Sequence, residues 1–90
     1  MNNDRRKTLT GYIERIDQIK EELETIYSDL EDTRNEEEEA RDNLPESLQE
    51  SEKGEVMQNA MDNMDEAVTA IQDAMTELES AIEKIEEAKA

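Results

Sequence analysis

The sequence predicts an all-α protein: an antiparallel two-helix coiled-coil hairpin that dimerises into a four-helix bundle. Three observations predict it. Alanine recurs at every seventh position from Ala60 through Ala67, Ala74 and Ala81 to Ala88. Two further columns run beside it: Met57, Met64, Ile71, Leu78, Ile85, and Met61, Val68, Met75, Ile82, closing at Lys89. Seven-residue periodicity in three adjacent columns is the pattern of a helix with a broad apolar stripe that packs on other helices. Finally, helix breakers are scarce, with one proline, Pro45, and two glycines, Gly11 and Gly54.

The first helix is expected at about residues 4–43. Its columns read Leu9, Ile16, Leu23, Leu30, Glu37, Leu44; Tyr12, Ile19, Ile26, Thr33, Ala40; and Ile13, Lys20, Tyr27, Arg34, Arg41. The apolar pattern is strong from Leu9 to Leu30. It then fails, because Glu37 takes a core position and Arg34 and Arg41 replace flanking apolar residues. Glu, Arg and Ala still favour helix there. Asn3 or Asp4 is the expected N-cap. Arg5, Arg6 and Lys7 oppose the positive end of the helix dipole.

The turn is expected at about residues 44–51. Leu44 precedes proline and is pushed out of helical geometry, while Pro45 suits the start of a short helical turn through Gln49. Leu44 and Leu48 are expected to plug the end of the hairpin. Ser51 is the expected N-cap of a second helix at about 52–89, with Glu52 and Glu55 in its favourable first turn.

Two helices of nearly equal length with a short connection pack antiparallel, each about 55 Å long. Residues 34–43 then oppose residues 54–63. The Leu and Ile columns of the first helix are expected to face the alanine column of the second, large against small. On that reading Ile13, Tyr27, Val68, Met75 and Ile82 remain uncovered and form the self-association surface of a homodimer.

Composition narrows function more by exclusion than by signature. The chain has no cysteine and no histidine, which removes disulfides, thiolate and imidazole metal sites, and Ser–His or Cys–His catalysis. There is no Gly-rich phosphate loop and no nucleophile elbow. A non-enzymatic protein without cofactor or metal is expected. The N-terminus lacks an apolar leader segment and no run approaches a membrane span, so a cytoplasmic location is expected.

The net charge is −17. Residues 11–43 hold thirteen acids and four bases, and residues 44–90 hold thirteen acids and three bases. Only the first ten residues are locally basic, through Arg5, Arg6 and Lys7, and read as a solvated end. Such a surface repels nucleic acid and anionic membranes and attracts basic partners. The acidic candidates for partner binding are Asp32, Glu36, Glu37, Glu38, Glu39 and Asp42. Their spacing lacks the glycine turn and alternating acids of a calcium-binding loop. Met57, Met61 and Met64 lie opposite and are the apolar candidates, since Met side chains suit adaptable binding surfaces. The bland alternatives are a solvated acidic face and methionines covered by the stems of Arg34 and Arg41.

The stretch Asn43-Leu44-Pro45-Glu46-Ser47-Leu48-Gln49-Glu50-Ser51-Glu52-Lys53-Gly54-Glu55, with the heptads on both sides, resembles the turn of small acidic helical-hairpin proteins of Gram-positive bacteria and their mobile elements. That resemblance implies a helical hairpin of prophage or plasmid origin and transfers no functional residue. The secreted hairpin family with a Trp-x-Gly turn has similar length, but this chain has no tryptophan. Two functional expectations follow. One is an acidic phage or mobile-element inhibitor that binds a basic, nucleic-acid-binding host protein as a DNA mimic, in the manner of anti-CRISPR proteins. About 55 Å of duplex carries roughly 32 charges, against 27 acids in this chain. The other is a structural coiled-coil adaptor or assembly factor whose acidity serves solubility.

Overall fold

The computed structural model describes residues 1–90 and is an all-α hairpin. Helix α1 spans Asn3–Asp42, α2 spans Glu46–Gln49 and α3 spans Glu52–Lys89. The two long helices pack against each other along a rod of 68 × 15 × 12 Å.

Asn2, one residue before the expected caps, closes the start of α1. Its Oδ1 accepts from the Arg5 amide at 2.8 Å, and its backbone is extended, as a cap requires. Pro45 precedes α2, whose single turn is closed by the Leu48 and Gln49 amides bonding the Pro45 carbonyl. Ser51 occupies the cap position of α3 but does not cap it with its side chain. Its hydroxyl donates back to the Leu48 carbonyl and ties the turn together instead. Leu44 is half-buried, whereas Leu48 is exposed, so only the first of the two plugs the hairpin end.

Gly54 decides how tightly the turn closes. A Cβ there would lie 1.8 Å from the Gln49 carbonyl oxygen and 2.5 Å from its carbon. No side chain fits, and α2 seats directly on the first turn of α3. Gln49 Nε2 adds a bond to the Leu44 carbonyl at 2.8 Å.

Four contacts set the register between the long helices. Lys20 Nζ reaches Glu79 at 3.2 Å and Arg34 Nε reaches Asp65 at 3.0 Å. At the two ends, Arg6 Nε donates to the Lys89 carbonyl at 3.0 Å and Arg41 Nε to the Gly54 carbonyl at 3.3 Å. All four cations belong to one heptad column of α1: Arg6, Ile13, Lys20, Tyr27, Arg34, Arg41. It faces the α3 column Gly54, Met61, Val68, Met75, Ile82, Lys89. These two columns hold every fully buried residue of the chain: Ile13 at 8 % exposure, Met61 at 4 %, and Gly54.

The rotation of the helices therefore differs from the sequence expectation. Ile13, Tyr27, Val68, Met75 and Ile82 lie in the seam of a single chain and are not its free surface. The alanine column is not the seam. Ala67, Ala74 and Ala88 are exposed, with Ala60 and Ala81 half-buried at its edge. The physical reason lies in the cations. A stripe three columns wide can centre on either of two seams. Only the one containing Arg6, Lys20, Arg34 and Arg41 lets long basic side chains bury their stems and reach acids or carbonyls across the interface.

Candidate functional site

The chosen rotation gives the hairpin two unlike faces. On one, the shared columns Leu9, Ile16, Leu23, Leu30 and Met64, Ile71, Leu78, Ile85 are half-buried. Outside them, the column Tyr12, Ile19, Ile26 on α1 lies on the same face as the alanine column on α3. Tyr12 is 47 % exposed, Ile19 53 % and Ile26 43 %. A shallow groove of about 320 Å³ runs between the helices here, lined by Tyr12, Arg15, Ile16, Ile19 and Ile85. Apolar residues alternately three and four apart along both helices thus form a continuous strip on the turn-distal half.

The other face carries the cross-helix ion pairs. Lys20 and Arg34 leave the seam on this side, where Glu79 and Asp65 receive them. Arg34 also pairs with Glu38 one turn on. Burial opposes the charge on Arg34, but the hydrogen bond and charge of Glu38, with Asp65, outweigh it and hold its pKa above the ordinary arginine value. Glu31, one turn beyond Tyr27, raises the phenol pKa by hydrogen bonding first and by its negative charge second.

The acidic candidates separate under this geometry. Asp32, Glu36, Glu39 and Asp42 are exposed, while Glu37 and Glu38 are half-buried. Glu38 is engaged by Arg34 and is already partly neutralised. The methionines separate as well. Met61 is core at 4 % exposure and offers nothing to a partner, because it faces the cationic column of α1. Met57 and Met64 are half-buried and keep an accessible edge. The basic N-terminal stretch is not merely solvated: Arg6 turns inward to close the open end of the hairpin on the Lys89 carbonyl.

Sequence reasoning missed the pairing role of the basic residues. The signal was present as four cations, Arg6, Lys20, Arg34 and Arg41, in a single heptad column. Drawing bases inward sharpens the outer charge. Of the 27 acids, 25 are exposed, against five of the ten bases.

No known protein family, curated protein or solved structure matches this chain. The chemistry must therefore be read from the faces themselves. No three carboxylates converge to form a metal site. No helix is long and apolar enough to cross a membrane.

Proposed function

We propose that this protein is a non-catalytic interaction module whose acidic rod occupies the nucleic-acid groove of a basic protein. The observation that carries this reading is the segregation of charge: 25 exposed acids against five exposed bases. Over the 68 Å of the rod, duplex DNA presents about 40 phosphates. The exposed acids are fewer but of the same order, and they are spread along both long helices. Asp32, Glu36, Glu39 and Asp42 stand in for phosphates most readily, since they are exposed and hold no cross-helix ion pair. Met57 and Met64, half-buried on the stretch of α3 at the same level, keep accessible edges for apolar contact. An inhibitor of mobile-element origin directed at a host nuclease, repressor or CRISPR effector is the biological form this chemistry suits.

Capture from a bacterial lysate on immobilised protein tests the reading. DNA-binding proteins should be retained at low salt, released by duplex DNA, and lost steeply as salt rises. Retention that duplex DNA does not disturb would exclude mimicry. Joint replacement Asp32→Asn, Glu36→Gln, Glu39→Gln and Asp42→Asn should weaken capture by at least about tenfold while helicity is retained.

A second reading is favoured by the exposed strip Tyr12, Ile19 and Ile26. In that case the protein is a coiled-coil adaptor or assembly factor, and its acidity keeps an apolar rod soluble. Binding would then persist at high salt and fail on Ile19→Glu.

A further inference from the structure

The seam near the turn differs in chemistry from the rest of the rod, and the difference makes it open to modification. We propose that Met57 and Met64 are sites of reversible oxidation by hydroperoxides, and that their conversion to sulfoxides opens the turn-proximal half of the hairpin while the distal half stays closed. The proposal stands whatever the acidic face binds.

Met57, Met61 and Met64 crowd into two turns of α3 and hold its seam positions there. Around them, Ala60 lies half-buried at the edge and Val56 is 61 % exposed. Across the seam, α1 supplies Leu30 at one limit and Leu44 at the other, with Arg34, Glu37 and Arg41 between. Apolar cohesion over this stretch therefore rests on thioethers. Met75 is also half-buried, but Ile71, Leu78 and Ile82 flank it in the seam and hold the distal half without it. The chain has no cysteine to react first.

The step is an oxygen transfer. The thioether sulfur attacks one oxygen of hydrogen peroxide, an S–O bond forms and the O–O bond breaks. Sulfur gives up two electrons, and the second oxygen leaves as water. The product is a polar side chain in place of an apolar one, and methionine sulfoxide reductases reverse the change.

The seam offers that oxygen no free donor. Arg34 is bound to Asp65 and Glu38, Arg41 donates to the Gly54 carbonyl, and Gln58 donates to Asp62. The bond from Arg41 to Gly54 sets Glu37, one turn back along α1, level with Met57, one turn on along α3. An ionised carboxylate accepts hydrogen bonds and cannot donate one. A buried oxygen without a donor is costly, so the sulfoxide takes its bonds from water and the helices part to admit it. Met57 and Met64 have accessible edges, whereas Met61 is 4 % exposed. Met61 reacts only after the first two have opened the seam. Exposed Met1 is an internal reference, since it lies outside α1 and its oxidation disturbs no seam.

Peroxide treatment of the whole chain, with peptide mapping by mass spectrometry and hydrogen exchange, tests this. Met57 and Met64 should gain oxygen well before Met61, which should lag by about tenfold or more, as a group reached through local opening does. Exchange over residues 52–64 should then quicken by at least about tenfold while residues 68–85 keep their protection. Reductase with a dithiol should restore both. Met57→Leu with Met64→Leu conserves volume and should abolish the response of exchange to peroxide. Met57→Gln with Met64→Gln should loosen the same residues with no oxidant present. Unchanged exchange after Met57 and Met64 are oxidised overturns the proposal. So does an equal response in the leucine variant, or Met61 reacting as fast as Met1.

Discussion

The two halves of the rod share one heptad and hold together by different means. In the turn-distal half, Ile13, Ile16, Leu23, Tyr27 and Leu30 meet Val68, Ile71, Met75, Leu78 and Ile82, and the charged residues of the seam are Lys20 and, at the open end, Arg6 and Lys89. In the turn-proximal half, Arg34, Glu37, Glu38 and Arg41 meet Met57, Met61 and Met64, and Gly54 locks the turn against α2. The first half is held by apolar area. The second is held by one buried methionine, a backbone fit and charge-assisted bonds from arginines. Register can thus be stated in polar contacts while cohesion is supplied by apolar ones, and the two need not be concentrated at the same end.

Substitutions can break this contrast in order of expected size. Met61→Ala removes the most buried side chain of the turn-proximal half and leaves a cavity, and should cost about 4 kcal/mol. Hydrogen exchange would then show α2 and the first turns of α3 opening ahead of the distal half; uniform opening would mean that the halves are not separable. Ile13→Ala should cost about 3 kcal/mol in urea unfolding, through lost transfer energy and a residual cavity. Gly54→Ala should cost about 2 kcal/mol, because the Gln49 carbonyl must move. Its effect should be confined to exchange rates around α2. A thermal midpoint equal to that of the parent would refute the close fit.

Smaller effects sharpen the comparison. Gly11 has open space around its Cβ position, so Gly11→Ala should stabilise the distal half by about 0.7 kcal/mol through helix propensity. A double-mutant cycle on Arg34 and Asp65 should give a coupling of about 0.5 kcal/mol, because Asp65 is half exposed and solvent screens the pair. If removing Arg34 instead lets the helices slide, cross-linking patterns along α3 should broaden with little change in stability.

Much of this architecture was legible in the chain. The heptads announced two long helices, Pro45 marked the turn, and equal lengths required the helices to run antiparallel. The opposition of residues 34–43 to 54–63 followed from length alone and agrees with the bond from Arg41 to Gly54. The identity of the N-cap did not follow, because Asn2, Asn3 and Asp4 are all competent and only the extended backbone at Asn2 selects one. Periodicity separated Met61 from Met57 and Met64 by column without saying which column turns inward.

The sequence by itself determined an all-α hairpin, the location of its turn and its excess of acid, since those depend on local propensity, chain connectivity and composition. Only the tertiary structure decided which columns became the seam. A stripe three columns wide can pack about either of two centres, and periodicity is the same for both. The choice fell to cross-helix chemistry: four cations in one column found acids and carbonyls on the other helix, and that rotation left the alanines and Tyr12, Ile19 and Ile26 outside the seam.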